Sequence, residues 1–225
     1  MPLERELDRL YATRFSESDR RSKSELWKVL YESFFRKYHD PQDTVLDVGA
    51  GYCDFINQVR SHRRIAVDVN PDTAGFAATG VQVHTVPLQE MRDFVENDSV
   101  DLAFASNVFE HLRSPEALLE VLSAIRAVLK PGGRLIVMQP NVRYVGGKFW
   151  DFFDHTLPLT DKGMVEALTL SEFEVTENRP RFLPYTTKSR APQWPILIRA
   201  YLAFPPAQWV FGEQMLVVAR RPSER

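Results

Sequence analysis

The sequence has very little cysteine and almost no excess of charge of either sign. Cys53 is the only cysteine among 225 residues, so no disulfide can form within the chain. The formal net charge of −2 argues against a nucleic-acid partner, because binding to phosphates requires clustered lysine and arginine. Residues 1–6 are too charged to begin a secretory signal. We therefore expect a cytoplasmic protein whose partner is not a nucleic acid.

Long uninterrupted apolar runs are also missing. The most apolar segment, residues 194–211, is interrupted by prolines and by Arg199, which argues against a transmembrane helix. Two interpretations remain open for it. Either it forms a helical lid packed on the core, or it presents an apolar surface to a lipid-linked acceptor or makes peripheral contact with a membrane.

The chain does contain a short apolar run that ends in glycines, at residues 45–55. A run too short for a helix and bounded by loop residues predicts a buried parallel strand entering a tight turn, with a helix beginning near Asp54. Gly49 and Gly51 allow the backbone to turn sharply and to approach a ligand closely. Asp47, at the carboxyl end of this strand, places negative charge in the same crevice. We therefore expect a ligand that carries positive charge.

A second short strand follows at residues 65–69 and carries Asp68 near its end. In nucleotide-binding crossovers, an acidic residue about 20 positions after the glycines accepts hydrogen bonds from the ribose hydroxyls. Asp68 has this spacing.

A nicotinamide dinucleotide enzyme would require the pattern G-x-G-x-x-G, but position 54, where the third glycine would stand, is Asp. A nicotinamide enzyme is therefore the weakest of the functional classes that we consider.

Four segments together resemble those of class I S-adenosylmethionine-dependent methyltransferases. They are residues 47–51, the strand end at Asp68, residues 101–112 and residues 129–135, in the order and spacing of that family. The resemblance implies S-adenosylmethionine as cofactor. It also implies an α/β, Rossmann-like, seven-stranded and mostly parallel sheet, with the last strand antiparallel and helices on both faces. Cys53 stands where the family often has a third glycine, which narrows the turn without preventing binding.

The predicted elements divide the chain into an N-terminal helical cap, residues 1–40, and a methyltransferase domain, residues 41–225. Two segments of the domain, residues 141–170 and the helical insertion 179–212 before the last strand, are expected on the acceptor side or as a lid. Apolar spacing and capping signals predict the other elements. These are helices at 71–79, 115–129 and 160–170, a fifth strand at 134–138, and an antiparallel pair at 173–178 and 214–219.

Two helices are predicted within the cap. The first covers residues 3–15, and the second begins at a capping box formed by Ser22 and Glu25. The cap either covers one edge of the sheet or closes over the cofactor or acceptor through side chains such as Tyr11 or Arg14.

The resemblance implies which residues contact the cofactor. The fourth strand ends where the methionine part is expected. The loop after the third strand lacks the usual acidic residue for adenine, so only Leu88 is assigned there, with plain core as the alternative. The cofactor residues expected are Asp47, Gly49, Ala50, Gly51, Asp68, Val69, Leu88, Ser106 and Asn107.

Catalytic residues are expected just after the fifth strand. Asp151 and His155 are four residues apart, so on a helix the carboxylate would orient the imidazole as a general base. Asp154 is a second candidate. His111, which follows Glu110 at the start of the next predicted helix, is interpreted as structural. No metal is expected, because the strand ends offer Asn107 and Asn141 without an obvious carboxylate cluster.

The acceptor is the least determined part of the function. The signature of enzymes that methylate exocyclic base amines is missing after the fourth strand, which argues against nucleobase acceptors. We expect a small molecule, a glycan or a lipid-linked glycan, with oxygen preferred over nitrogen. The alternative is a noncatalytic S-adenosylmethionine-binding subunit that activates or scaffolds a partner enzyme. The sequence does not indicate an oligomeric state.

Overall fold

The computed structural model describes residues 17–185 and 194–223, with side chains from Ser22 onward. A seven-stranded sheet with the order β3-β2-β1-β4-β5-β7-β6 forms its centre. Strands β1 to β5 are parallel, and β7 is antiparallel to both β5 and β6. The predicted Rossmann-like fold is therefore confirmed. The strands are Thr44–Val48 (β1), Arg63–Asp68 (β2), Val81–Thr85 (β3), Val100–Ser106 (β4), Leu129–Pro140 (β5), Glu174–Arg179 (β6) and Gln214–Arg220 (β7).

Helices lie on both faces of the sheet, and two of them begin at hydroxyl caps. The Ser114 hydroxyl accepts the amide of Ala117 at 3.2 Å, and the Thr160 hydroxyl accepts the amide of Gly163 at 3.1 Å. The helices are Glu17–Ser33 (α1), Thr73–Phe76 (α2), Pro115–Val128 (α3), Val142–Val145 (α4), Asp161–Leu170 (α5), Pro195–Ala203 (α6) and Pro205–Phe211 (α7). Short 3₁₀ helices cover Phe35–Tyr38, Leu88–Asp93, Phe109–His111 and Gly146–Asp151.

The sheet has a separate apolar core on each face. One core packs α3 and α5 against alternate residues of the central strands. The other packs α1 and the following 3₁₀ helix against the opposite face. Aromatic rings dominate the second core, where the Phe55 and Phe104 rings stack with centroids 3.8 Å apart and Trp27 meets Phe104 edge-on. The described part of the N-terminal cap therefore contributes to the core itself.

Several predicted helices differ from the structure. The helix predicted at 71–79 covers only Thr73–Phe76. Helix α1 begins at Glu17, five residues before the predicted capping box, because the polar stretch continues the helix instead of interrupting it. No regular helix begins near Asp54. Residues 51–58 form consecutive hydrogen-bonded turns, because Cys53 has a left-handed φ of 58° that breaks helical geometry. The predicted helix at 3–15, with Tyr11 and Arg14, lies outside the described residues.

Strand β5 is longer than the predicted 134–138. Its early part pairs Val100 with Leu129, and the pairing then shifts so that Leu102 faces Arg134. Pro131, Gly132 and Gly133 lie within this irregular beginning. Lys130 fixes it to the neighbouring strand through a 2.7 Å ion pair with Asp101.

The insertion between β6 and β7 carries α6 and α7, as predicted. Ile198, Tyr201 and Leu202 of α6 pack against the second core, and the Tyr201 hydroxyl donates to the Phe182 carbonyl at 2.7 Å. The other side of the insertion exposes a set of large apolar side chains: Trp194, Ile196, Leu197, Phe204, Trp209, Val210 and Phe211. Within the described ranges, none of the helices has the length and apolar character needed to cross a bilayer.

Candidate active site

The strand order of the sheet reverses between β1 and β4, so a ligand crevice is expected at the carboxyl ends of these two strands. Open α/β sheets bind ligands at such a switch point. The turn leaving β1 has left-handed glycines, Gly49 at φ 71° and Gly51 at φ 50°. A Cβ on Gly49 would lie 2.3 Å from Val108 Cγ2, so only glycine fits there. A Cβ on Gly51 would meet no atom of the described residues within 4 Å, so this side of the turn is open.

Asp68 lies across the turn, at the end of β2. Its Oδ2 accepts the Gly51 amide at 2.7 Å and its Oδ1 accepts the Asn70 amide at 2.8 Å. Burial raises the pKa of Asp68, and the hydrogen bonds from these backbone amides oppose the increase. The Val69 backbone amide also interacts with this carboxylate. Because a carboxylate has about four lone-pair positions, it can still accept a hydrogen bond from a ribose hydroxyl. The adjacent Val69 side chain is 63% exposed and available to a ligand.

Asp47 is less open to the crevice than the sequence suggested. Its side chain is only 4% exposed, and its carboxylate accepts the backbone amide of Ile56 in the following turns. Burial raises the pKa of Asp47 from its ordinary value of 3.8 to about 8, and the nearby Asp68 and Asp54 carboxylates add to the increase. A cationic ligand beside this turn would favour the ionised form.

The remaining predicted cofactor residues border the same crevice or its base. Ala50 is buried in the turn, and its amide donates to the Val67 carbonyl at 3.3 Å. Ser106 ends β4, and Asn107 follows with a left-handed φ of 50°. The side-chain amide of Asn107 donates a hydrogen bond to the Ser106 hydroxyl at 3.1 Å. Leu88 is 7% exposed and belongs to the first core, which supports the plain-core alternative for that residue.

The helix expected to align Asp151 with His155 is absent, so that prediction of the geometry is wrong. The 3₁₀ helix that begins at Gly146 ends at Asp151, and Phe152 is extended, with φ −110° and ψ 120°. Two glycines at the start of this segment disfavour the α-helix that would give the i, i+4 spacing. Asp151 is exposed, whereas His155 is buried.

His155 instead meets Glu110 and His111. One potential metal-ligand atom from each of these three side chains lies within 4.8 Å of the other two. The Nδ1 atom of His111 lies 3.2 Å from Asp154 Oδ2. Burial raises the pKa of Glu110 to about 7, partly opposed by His111, and the Asp154 and Glu110 carboxylates raise the pKa of His111 against the effect of burial. We call Glu110, His111, Asp154 and His155 the acid–imidazole cluster.

The acid–imidazole cluster belongs to the same edge of the sheet as the cofactor crevice. Glu110 and His111 lie in the 3₁₀ helix that follows Asn107, and His111 is close enough to lower the pKa of Asp68 electrostatically. Sequence reasoning interpreted His111 as structural and did not place Glu110 among the catalytic residues. Their adjacency directly after β4 was the available signal, but their contact with His155 is made over 44 positions of chain.

A cavity of about 650 Å³ lies elsewhere, at the amino ends of β1 and β2. Its lining includes Gln42, Arg60 and Arg64, and none of the predicted site residues. This cavity is therefore separate from the crevice at the carboxyl ends.

Known proteins share both the sequence pattern and the fold. Residues 4–194 match the family described as a methyltransferase domain. Demethylmenaquinone methyltransferase of Symbiobacterium thermophilum is 26% identical over 181 residues, 73% of this chain and 67% of that protein. A methyltransferase solved in complex with the Trm112 methyltransferase activator of Haloferax volcanii has a TM-score of 0.69 at 17% identity, covering 96% and 97% of the two chains. An S-adenosylmethionine-dependent methyltransferase of Archaeoglobus fulgidus has a TM-score of 0.62 at 21% identity, covering 88% and 94%.

The sheet order, the glycine turn and the two strand-end carboxylates define a Rossmann-like protein that binds a nucleoside-containing cofactor. The extent of the family match settles the class further. The chain belongs to the methyltransferase domain family and is an S-adenosylmethionine-dependent methyltransferase. The open side of Gly51 and the oriented Asp68 carboxylate fit the ribose end of that cofactor.

Replacing Asp68 by alanine should weaken cofactor binding while the fold survives. The change removes a charged acceptor for the ribose hydroxyls, so we expect a loss of about 1.5 to 3 kcal/mol in binding free energy. Calorimetric titration with S-adenosylmethionine measures this loss. Asp72→Ala, which changes an exposed carboxylate four residues further along, is the control. An unchanged dissociation constant for Asp68→Ala would show that the ribose is held by other groups.

The raised pKa of Asp47 predicts how stability depends on pH. Between pH values of about 4 and 8 the folded protein keeps a proton that the unfolded chain has lost, so stability decreases as pH rises through this window. Asp47→Asn removes this term while retaining an acceptor for the Ile56 amide. From pH 5.5 to pH 8, the melting temperature of the wild type should fall relative to Asp47→Asn by about 5 °C. If the melting temperatures of the two proteins changed with pH by the same amount, the raised pKa of Asp47 would be contradicted.

Proposed function

We propose that this methyltransferase transfers the methyl group to an oxygen atom of a small molecule, a glycan or a lipid-linked glycan. The observation that carries the proposal is the acid–imidazole cluster, in which Glu110 and His111 follow the end of β4. A neutral amine can attack the methyl group unaided, whereas a hydroxyl gains reactivity when its proton is removed as the bond forms. A concentration of carboxylate and imidazole groups beside the cofactor crevice favours a hydroxyl acceptor.

The chemistry demands alignment more than it demands reactive side chains. Methyl transfer from a sulfonium is an in-line displacement, so holding the acceptor and the methyl carbon in contact supplies most of the rate. We propose that the turn at Gly49–Gly51, the Asp68 carboxylate and Val69 hold the nucleoside, and that Ser106 and Asn107 flank the methionine part. The backbone N–H of Asn107 donates to the Met138 carbonyl at 2.9 Å, which would keep the methionine end of the site rigid.

The surroundings of the cluster indicate an acceptor with an apolar part. His155 lies between the rings of Phe149 and Phe152, whose centroids are 4.7 and 4.8 Å from its own. On the same segment, Trp150 is 61% exposed and Phe153 is 84% exposed. Exposed rings of this size favour an apolar ligand over a highly charged one. The relative from Symbiobacterium acts, by its name, on demethylmenaquinone, which is consistent with an apolar acceptor.

The test is the chemical position of the transferred methyl group. The purified protein is incubated with S-adenosylmethionine carrying a ¹³C-labelled methyl group and with fractions of a cell extract, and products are examined by carbon NMR. The proposal expects label in a methoxy group, whose carbon resonance is separated from those of N-methyl and C-methyl groups. A blocked acceptor, in which the hydroxyl is already methylated, should accept no label. Label on nitrogen or carbon would overturn the oxygen assignment.

A further inference from the structure

We propose that Glu110, His111 and His155 bind one divalent transition-metal ion of the zinc or cobalt class. One carboxylate and two imidazoles are donors that such ions prefer, whereas magnesium favours oxygen ligands alone. Ligand atoms about 2.1 Å from a common ion lie up to roughly 4.2 Å apart. The three side chains already bring one such atom each within 4.8 Å of the others, so small rotations would complete the site.

The state of Glu110 independently indicates a missing partner. The side chain is only 2% exposed, and its Oε2 atom has no hydrogen-bond partner among the residues that the structure describes. An ionised carboxylate in such a place costs several kcal/mol unless a cation or donors compensate for it. A bound divalent ion would supply that compensation at the point where the two imidazoles also converge.

Asp154 and the aromatic rings hold the two imidazoles in place. The Nδ1 atom of His111 lies 3.2 Å from both the carbonyl oxygen and the Oδ2 atom of Asp154. Metal-binding histidines in proteins commonly have their second nitrogen held by a carboxylate or carbonyl in this way, and by that pattern Nε2 of His111 would be the ligand atom. The Phe149 and Phe152 rings fix the orientation of the His155 ring.

The backbone fixes the distance between the two segments that contribute ligands. The amides of Thr156 and Leu157 donate to the Glu110 carbonyl at 2.8 and 3.0 Å, and the Thr156 hydroxyl donates to the Leu112 carbonyl at 2.8 Å. The two residues that follow His155 therefore hold it beside the segment that carries Glu110 and His111. Such preorganisation lowers the cost of forming the site.

The role of the ion rests on the proposed function, although its binding does not. Three protein ligands leave coordination positions for an acceptor hydroxyl, and coordination lowers the pKa of that hydroxyl. The hydroxyl proton passes to solvent, and an oxygen lone pair forms the bond to the methyl carbon. The carbon–sulfur bond breaks with its electron pair remaining on sulfur, which converts the sulfonium into a neutral thioether. The ion thereby takes the place that a general base would have.

Direct metal titration of the chelator-treated full chain tests the proposal. Calorimetry with Zn²⁺ and visible absorption with Co²⁺ should both show one equivalent bound per chain. Glu110→Gln and His155→Phe should each weaken binding by at least about 100-fold, and Asp154→Asn by about 10- to 100-fold, as is typical when a partner of a metal-binding histidine is lost. The His155→Phe variant keeps a ring between Phe149 and Phe152.

The control is His84→Asn, which removes a partly buried imidazole on β3, away from the acid–imidazole cluster. It should bind the metal like the wild type. S-adenosylmethionine binding is measured on every sample, so that a folded but metal-free variant is recognised. Failure of the wild type to bind metal, or unchanged affinity in Glu110→Gln, would overturn the proposed ion. If cofactor binding and methyl transfer persisted in that case, the proposed function would stand without it.

Discussion

Gly51→Val should abolish S-adenosylmethionine binding, with at least a 100-fold loss of affinity in calorimetric titration. A Cβ at this position meets no atom of the described residues within 4 Å, so a valine side chain would extend into the open side of the turn. The Gly51 amide also donates to Asp68 Oδ2 at 2.7 Å, and a shift of the turn would disturb the carboxylate that we expect to hold the ribose. The substitution therefore acts on the ligand's space and on its anchor together.

Backbone strain has to be separated from this effect. Gly51 has a φ of 50°, a left-handed value that a β-branched residue adopts only at a cost. Gly132→Val is the matched control, because Gly132 has a φ of 82°, and its Cβ would meet only Ser223 Oγ at 3.5 Å. Gly132 lies at the amino end of β5, on the opposite edge of the sheet. Both variants should lose thermal stability, but only Gly51→Val should lose the cofactor. Equal affinities of the two variants for S-adenosylmethionine would show that the turn at Gly51 does not contact the cofactor.

His155→Phe should lower the turnover number by about 10² to 10⁴ and leave the affinity for S-adenosylmethionine intact. This range is typical for removal of a group that assists the loss of the acceptor's proton, and it applies whether the imidazole takes the proton itself or holds a cation. Phenylalanine preserves the ring contacts with Phe149 and Phe152, so the packing of the segment is kept. His155→Ala should show a similar loss of turnover with an additional loss of stability.

Asp151→Asn provides the comparison for this result. Asp151 is exposed and is not held on a common helix with His155, so its replacement should change turnover less than twofold. A turnover number in His155→Phe equal to that of the wild type would exclude the imidazole from the reaction. A loss of cofactor affinity in the same variant would assign His155 a structural role at the crevice.

Local sequence signals predicted the fold well because most of them act over a few residues. The hydroxyl cap at Thr160 and the short apolar strands were visible in the sequence, and the sheet is seven-stranded and mostly parallel, as the resemblance implies. The errors occurred where backbone conformation overrides composition. Cys53 adopts a left-handed φ that its residue type disfavours, and the helix expected after the glycine turn consequently fails to form.

The candidate site was only half predictable for a related reason. Asp47, Gly49, Gly51 and Asp68 lie within 22 positions of one another, and their spacing alone indicates a shared crevice. The acid–imidazole cluster instead depends on the loop at 152–157 folding back onto Glu110, which no periodicity encodes. The i, i+4 spacing of Asp151 and His155 led to the wrong partner, because helical spacing has meaning only where a helix exists.

The insertion that carries α6 and α7 leaves and rejoins the sheet at nearly the same point. The amides of Glu213 and Gln214 both donate to the Leu183 carbonyl at 2.8 Å, and the Phe182 amide donates to the Gln214 carbonyl at 2.7 Å. The strands around this closed base are paired independently of what lies beyond it. The segment between Leu183 and Glu213 can therefore be exchanged as one unit, provided that its replacement also covers the part of the second core where Ile198, Tyr201 and Leu202 pack. Such an exchange would leave unchanged the strands β1 and β2, which lead into the glycine turn and Asp68.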